Sequence, residues 1–241
     1  MRYLIELSYK GTSYHGWQIQ PDANSVQEEI TNAISTVIQD NIQLVGAGRT
    51  DAGVHAIQMF AHFDTSKNIT IEFVYKFNSL LPNDIHIKSL KKVPDTTHAR
   101  FDAVSRTYEY RILLGKNPFL LDTTWQIHKK DISIDKMNDA AKILFEYQDF
   151  ESFSKVKTDV KTFNCNVTQA VWVLDEDELI FYITANRFLR NMVRAIVGTL
   201  LEIGLEKKTV EDFRKIIINK KRSEAGVSVP AHGLFLTRVC Y

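Results

Sequence analysis

Tyr3, Ile5, Leu7 and Tyr9 alternate with Arg2, Glu6 and Ser8, the two-residue period of a strand with one buried face. Nothing else in the sequence constrains the fold as much, because this period recurs along the chain. It returns at Ile57, Met59, Ala61 and Phe63, and in the stretches IHIKSLKKV, VSRTYEYRILLG, QAVWVLDED, ELIFYITA and GLFLTRVCY. One-sided alternation belongs to antiparallel sheets with one covered and one open face. A further short strand is predicted at Ile42 and Leu44.

Helical periods fall between these strands. Ser25 stands three residues before Glu28, a capping box, and Val26, Ile30, Ala33, Ile34, Val37 and Ile38 follow at helical spacing. IEFVYKFNSLL reads as a helix ended by Pro82. Ile134, Met137, Ala141, Leu144 and Phe145 share one face of another, which predicts Phe145 in the core along with strand residue Trp172. A longer helix is expected from about Phe188 to Gly204, with Gly204 as its C-cap. A last helix starts at Thr209, with Asp212 three residues on. The expected fold is α+β: a mostly antiparallel sheet with helices packed on it, in two intimately joined α/β halves, 1–103 and 104–241.

Composition narrows the setting. The 241 residues suffice for a substantial core. No segment is apolar for long enough to span a membrane, and Met1-Arg2-Tyr3 runs directly into a strand, so no signal peptide is expected. Cys165 and Cys240 lack CxxC or CxxH partners, which argues against structural zinc and for a reducing, cytoplasmic setting. Both thiols read as packing groups. The net charge of +1 means that any nucleic-acid binding must draw on basic residues gathered on one face.

The stretch GAGRTDAGVHA, residues 46–56, is where chemistry is concentrated. Gly46-x-Gly48 fails as a dinucleotide loop, because a strand rather than a helix follows and Gly53 has the wrong spacing. No Gly-Lys-Ser/Thr follows, so a P-loop fails too. Asp51 and His55 alone make a weak metal site. Two readings stay open: Arg49 and Asp51 form a surface pair in a hairpin, or the loop presents one carboxylate to a substrate. A nearby guanidinium favours the charged form of a carboxylate, which suits a nucleophile or base rather than an acid.

The same loop, GRTDAGVHA, resembles the catalytic loop of the tRNA pseudouridine synthase A family. YKGTSYHGWQIQ is similar to that family's first loop, and LPNDIHIKSLKKVPDTTHARFDAVSRTYEYRI to its central segment. NRFLRNMVRAIVGTLLEIG is similar to its last long helix, and SVPAHGLFLTRVCY to its C-terminal strand. These segments occur in family order along nearly the whole chain. The resemblance implies a pseudouridine synthase-like fold that isomerises uridine to pseudouridine at positions 38, 39 and 40 of the tRNA anticodon stem-loop. It implies Asp51 as the nucleophile, Arg49 as an aid to nucleotide flipping, Tyr108 as the ring that stacks on the flipped uracil, and Arg194 as the cation paired with Asp51. It also implies a homodimer that needs no cofactor, nucleotide or metal.

Basic residues that could hold RNA include Lys88, Lys91, Lys92, Arg100, Arg106, Arg187 and Arg190. The run Lys220-Lys221-Arg222 reads best as a solvated face at a helix end, where cations complement the dipole. His15, His55, His62 and His98 read as structural. Two rival functions remain. A nucleoside or glycoside hydrolase would use the same aspartate but usually needs a second carboxylate as acid. A catalytically silent RNA-binding module would need none of the site chemistry.

Overall fold

A computed structural model of the chain describes residues 1–128, 131–156 and 160–241. In chain order the elements are β1 (Arg2–Tyr9), α1 (Val26–Ile38), β2 (Val45–Gly46), β3 (His55–Asp64), α2 (Phe73–Leu80) and β4 (Ile85–Val93). There follow β5 (Ser105–Leu113), β6 (Trp125–Gln126), α3 (Ile134–Lys142), β7 (Val167–Asp175), β8 (Glu178–Ala185), α4 (Met192–Gly204), α5 (Val210–Asn219) and β9 (Leu234–Cys240). The fold is α+β. They pack as two compact units, Met1–Val104 with Phe235–Tyr241, and Ser105–Leu234. The terminal strand, expected with the second half, therefore joins the first.

In the first unit the strand order is β4-β1-β3-β9, with β2 beside β3. β1 runs antiparallel to both β3 and β4, whereas β9 pairs with β3 in parallel, His55 opposite Phe235. The alternation in β1 does what the sequence predicts. Tyr3, Ile5, Leu7 and Tyr9 are buried while the residues between them are not. Tyr3, Ile5 and Leu7 stand opposite Phe63, Ala61 and Met59 of β3, and Val26, Ile30, Ile34 and Ile38 of α1 are buried as well. Each buried isoleucine, leucine, valine, methionine or phenylalanine among them contributes about 1.5–3 kcal/mol by leaving water. Ser25 caps α1 by accepting a hydrogen bond from the Glu28 amide, as its position predicts.

The second unit repeats the scheme with β5-β8-β7, all antiparallel, and β6 parallel to β5. The ladder sets Tyr108 opposite Ile183 and Tyr110 opposite Phe181. Helix α3 packs on β7, α4 and α5. Thr209 and Asp212 form a reciprocal capping box at the start of α5.

Three local expectations are corrected. The strand expected at Ile42 and Leu44 lies at Val45–Gly46 instead, although both apolar side chains are buried. Helix α4 begins at Met192 rather than Phe188, because Asn191 sits in the left-handed region with φ 67° and interrupts the helix there. Phe145 is exposed while Trp172 is buried. The chain tightens into a 3-10 turn over Ile143–Glu146, whose three-residue period rotates Phe145 off the inward face. Burial pushes the Cys165 thiol up to about 11, in keeping with a packing role.

His62 is a buried histidine with a measurable consequence. Its Nδ1 accepts a hydrogen bond from the Ala99 amide at 3.1 Å, which requires a lone pair on that nitrogen. Burial, with the charges of Arg2 and His98 nearby, pushes it down to about 4, opposed by Asp64 and Asp102. A histidine normally titrates near 6.5. The unfolded chain therefore binds the proton first as pH falls, and the stability held above pH 6.5 is lost on the way down through pH 4. The expected loss is on the order of 3 kcal/mol. Urea unfolding at pH 7 and pH 4.5 checks it: His62→Asn keeps an acceptor without a titrating group and should flatten the difference.

Candidate active site

The loop that carries Asp51 is built by its neighbours in the first unit. β2 pairs with β3 through Gly46 and Ala61, and the Ala47 amide donates to the Phe60 carbonyl at 2.8 Å. The chain then leaves the sheet edge, and a β-carbon at Gly48 would meet no atom within 4 Å. Arg49 is exposed and Asp51 half-buried. Behind Asp51 the Val54 amide donates to the Asp51 carbonyl at 3.2 Å, closing a four-residue turn. Gly53, with φ 78°, takes the third position of that turn, where a positive φ favours glycine.

Thr50 is the anchor. Its Oγ1 lies 2.9 Å from the Tyr9 hydroxyl, and its carbonyl accepts from the Trp17 amide at 3.3 Å. The segment 10–24 thus forms a bed for the Asp51 loop, and its own placement can be traced residue by residue. Gly16 and Trp17 carbonyls accept from the first amides of α1, Val26 and Gln27. The Gly53 amide donates to the Tyr14 carbonyl at 3.3 Å. Tyr14 donates its hydroxyl to Asp84 at 2.6 Å, and burial together with that carboxylate pushes its phenol well up. The buried His55 ring accepts from the Gly11 amide at 3.0 Å and stacks on Phe235 with centroids 4.5 Å apart. His55 is therefore a structural residue, as its sequence context predicts.

Tyr9, Trp17, Tyr14 and Asp84 have no functional signature in the sequence. They lie in segments that resemble the family, but only the folded chain shows that they hold the loop. Trp17 is visible as an apolar residue in a polar loop; its indole packs directly under Gly46.

The second unit positions the other two candidates. Tyr108, on β5, is half-buried with its ring edge-on to Phe188, centroids 5.1 Å apart. Tyr110, two residues on and so on the same face, is buried and donates its hydroxyl to the Pro230 carbonyl at 2.8 Å. Its phenol is pushed far up by burial, opposed by the charge of Arg194. Arg194 is half-buried on the first turn of α4, and its Nε donates to the Val229 carbonyl at 2.7 Å. Two consecutive carbonyls, Val229 and Pro230, thus tie the arginine of α4 and the tyrosine of β5 to one segment. Tyr108 and Arg194 are fixed within a single packed unit.

The basic run at 220–222 does not form one solvated patch. Lys220 pairs with Asp149 at 2.6 Å and Lys221 with Glu224 at 3.5 Å, while Arg222 turns inward. Of the other basic candidates, Lys88, Lys91 and Lys92 are all exposed, and Lys88 donates to the Ile57 carbonyl at 2.5 Å. Among the described residues no three His, Cys, Asp or Glu side chains come together as metal ligands would, and no helix is long and apolar enough to cross a membrane.

Comparison with known proteins follows the same residues. A sequence profile described as tRNA pseudouridine synthase matches 7–102 and 140–241, which takes in Arg49, Asp51 and Arg194. Whole-chain relatives extend the match across Tyr108. The tRNA pseudouridine synthase A of Bacteroides thetaiotaomicron is 50% identical, the alignment covering 100% of this chain and 90% of that one. Its counterpart from Bacteroides fragilis is 51% identical, with 100% and 96% covered. The Bacillus licheniformis protein of the same name is 38% identical over 100% and 99%. With a profile matched in both structural units and relatives this similar along the whole length, the chain belongs to the tRNA pseudouridine synthase family.

Proposed function

We propose that this chain isomerises uridine to pseudouridine in the anticodon stem-loop of tRNA, at positions 38, 39 and 40, as a cytoplasmic homodimer. Asp51 is the nucleophile or base at the ribose, Arg194 is its cationic partner, Arg49 assists the flipping of the nucleotide, and Tyr108 stacks on the extruded uracil. In the reaction the N1–C1′ bond breaks, the uracil turns and C5 bonds to C1′. The proton leaves C5 and N1 gains one, so nothing is oxidised and the product is an isomer. The observation that carries the reading is the loop 48–54, in which Asp51 stands between an anchored threonine and a tight turn.

The base must leave its stack before a carboxylate can reach C1′, at a cost of a few kcal/mol. Stacking on an aromatic ring returns roughly 1–3 kcal/mol. The half-buried ring of Tyr108, braced by Phe188, suits that work because its position is already fixed. Tyr108→Phe keeps the plane and should hold tRNA about as well as the wild type. Tyr108→Leu should slow isomerisation; turnover at the wild-type rate would remove stacking from the account.

Incubation of the protein with an unmodified tRNA transcript tests the whole reading. Nucleoside analysis should show pseudouridine at unchanged RNA mass. Free uracil would mark a hydrolase instead, and an unaltered transcript bound by the protein would mark a silent RNA-binding module. Sedimentation at micromolar concentration should give twice the chain mass.

A further inference from the structure

Arg222 raises a physical question. Its guanidinium is half-buried, yet among the described residues its partners are all uncharged. Nη1 donates to the Gly226 carbonyl at 3.0 Å and, at 3.4 Å, to that of Ala225; Nη2 donates to Ser228 Oγ at 2.9 Å. Taking a cation partly out of water without an anion is unfavourable, and an apolar side chain of similar volume would often serve stability as well. What the guanidinium supplies is a rigid fork that fixes the path of residues 225–228.

That path leads to Arg194. Ser228 Oγ also accepts from Asn191 Nδ2, at the residue just before α4. The Gly226 amide donates to Thr199 Oγ1 at 2.8 Å, and the segment runs so close to the helix that a β-carbon on Gly198 would lie 1.9 Å from the Val227 carbonyl. The Val229 amide donates to the Arg194 carbonyl at 3.3 Å, and the Val229 carbonyl receives Arg194 Nε at 2.7 Å. The chain of bonds from Arg222 through Gly226 and Ser228 ends beside an acceptor of the Arg194 guanidinium, the Val229 carbonyl.

We propose that Arg222 is a positioning residue for the isomerisation, acting through segment 225–229 to aim the guanidinium of Arg194, and that it is no part of an RNA-binding surface. This rests on the role proposed above for Arg194. It explains why the third residue of a basic run turns inward while Lys220 and Lys221 pair with surface carboxylates.

The test compares Arg222→Met, which keeps volume without donors, and Arg222→Lys, which keeps charge without the fork. The probe is a tRNA transcript, with single-turnover rates under excess enzyme and with Kd measured separately. Both variants should slow isomerisation by about 10- to 100-fold, the scale of a misplaced catalytic group, while tRNA Kd is unchanged. In an Arg194→Lys background, which lacks the Nε donor, Arg222→Met should change the rate by less than about twofold, since coupled sites are not additive. An equal loss in both backgrounds overturns the proposal, as does a folded Arg222→Met with the wild-type rate. Weakened tRNA binding that Lys restores, with the saturated rate intact, overturns it in favour of an RNA contact. If Arg222→Met does not fold, Ser228→Ala cuts the same link at its far end and is judged by the same outcomes. A wild-type protein that leaves the transcript unmodified overturns the reading of the site itself, and this inference with it.

Discussion

Asp51→Asn should lower pseudouridine formation by at least about 10³-fold in single and multiple turnover, because the carboxylate proposed to act on the ribose is gone. Asparagine matches the size of aspartate but carries no anion, so the variant tests charge and nucleophilicity together. The fold around it should persist. The turn that follows is closed by the backbone carbonyl of residue 51 rather than its side chain, and Thr50 remains held by Tyr9 and Trp17. Affinity for tRNA should stay near the wild-type value or rise slightly, because phosphate contacts supply most RNA affinity and the lost charge repels phosphate. Circular dichroism, filter binding and nucleoside analysis of one preparation check all three points. Substantial isomerisation by an uncontaminated Asp51→Ala protein would remove the carboxylate from the mechanism.

Gly16→Ala is the second large effect, and it reaches Asp51 from below. Gly16 has φ 96°, and a β-carbon there would lie 2.4 Å from the Thr50 carbonyl and 3.1 Å from the carbonyl carbon of Asp51. The backbone conformation alone costs an alanine about 1–3 kcal/mol. The clash adds to this, because both contacts are with backbone rather than with a side chain that could swing aside. The expected destabilisation is about 3–4 kcal/mol, large against a typical stability of about 5–15 kcal/mol. Relief of the clash must push residues 50–51 away, and a displacement near 1 Å costs about 100-fold in rate. Gly48→Ala, in the same loop but with open space around its β-carbon, should change stability by no more than about 0.5 kcal/mol. Urea midpoints of the two variants, with kcat for Gly16→Ala, decide the matter. A Gly16→Ala protein with wild-type midpoint and kcat would mean that the bed formed by residues 10–24 does not place Asp51.

The strands β1, β3, β4, β5, β7, β8 and β9 and the caps at Ser25 and Thr209 were legible in the sequence, because each is a local property, although burial alternates strictly only in β1 and β8, and Ile57 of β3 is exposed. Side-chain period and cap chemistry act over a few residues, whatever the rest of the chain does. The resemblance of GRTDAGVHA and its companion segments pointed to Arg49, Asp51, Tyr108 and Arg194, and so to a family in which the whole chain is now placed. Period says which face of a strand is buried but not which strand lies beside it. That β9 pairs in parallel with β3, more than 170 residues away in sequence, was therefore a tertiary decision, and it moved the chain's end into the first unit. The same holds for the start of α4, where Asn191 takes a left-handed conformation and bonds Ser228 across 37 residues. It holds most clearly for the basic run. Lys220, Lys221 and Arg222 are chemically alike in the sequence, and only the packing of segment 225–229 against α4 sends one of them inward. A long charged side chain goes where its stem can be covered and its donors met, and that is set by what the fold brings alongside.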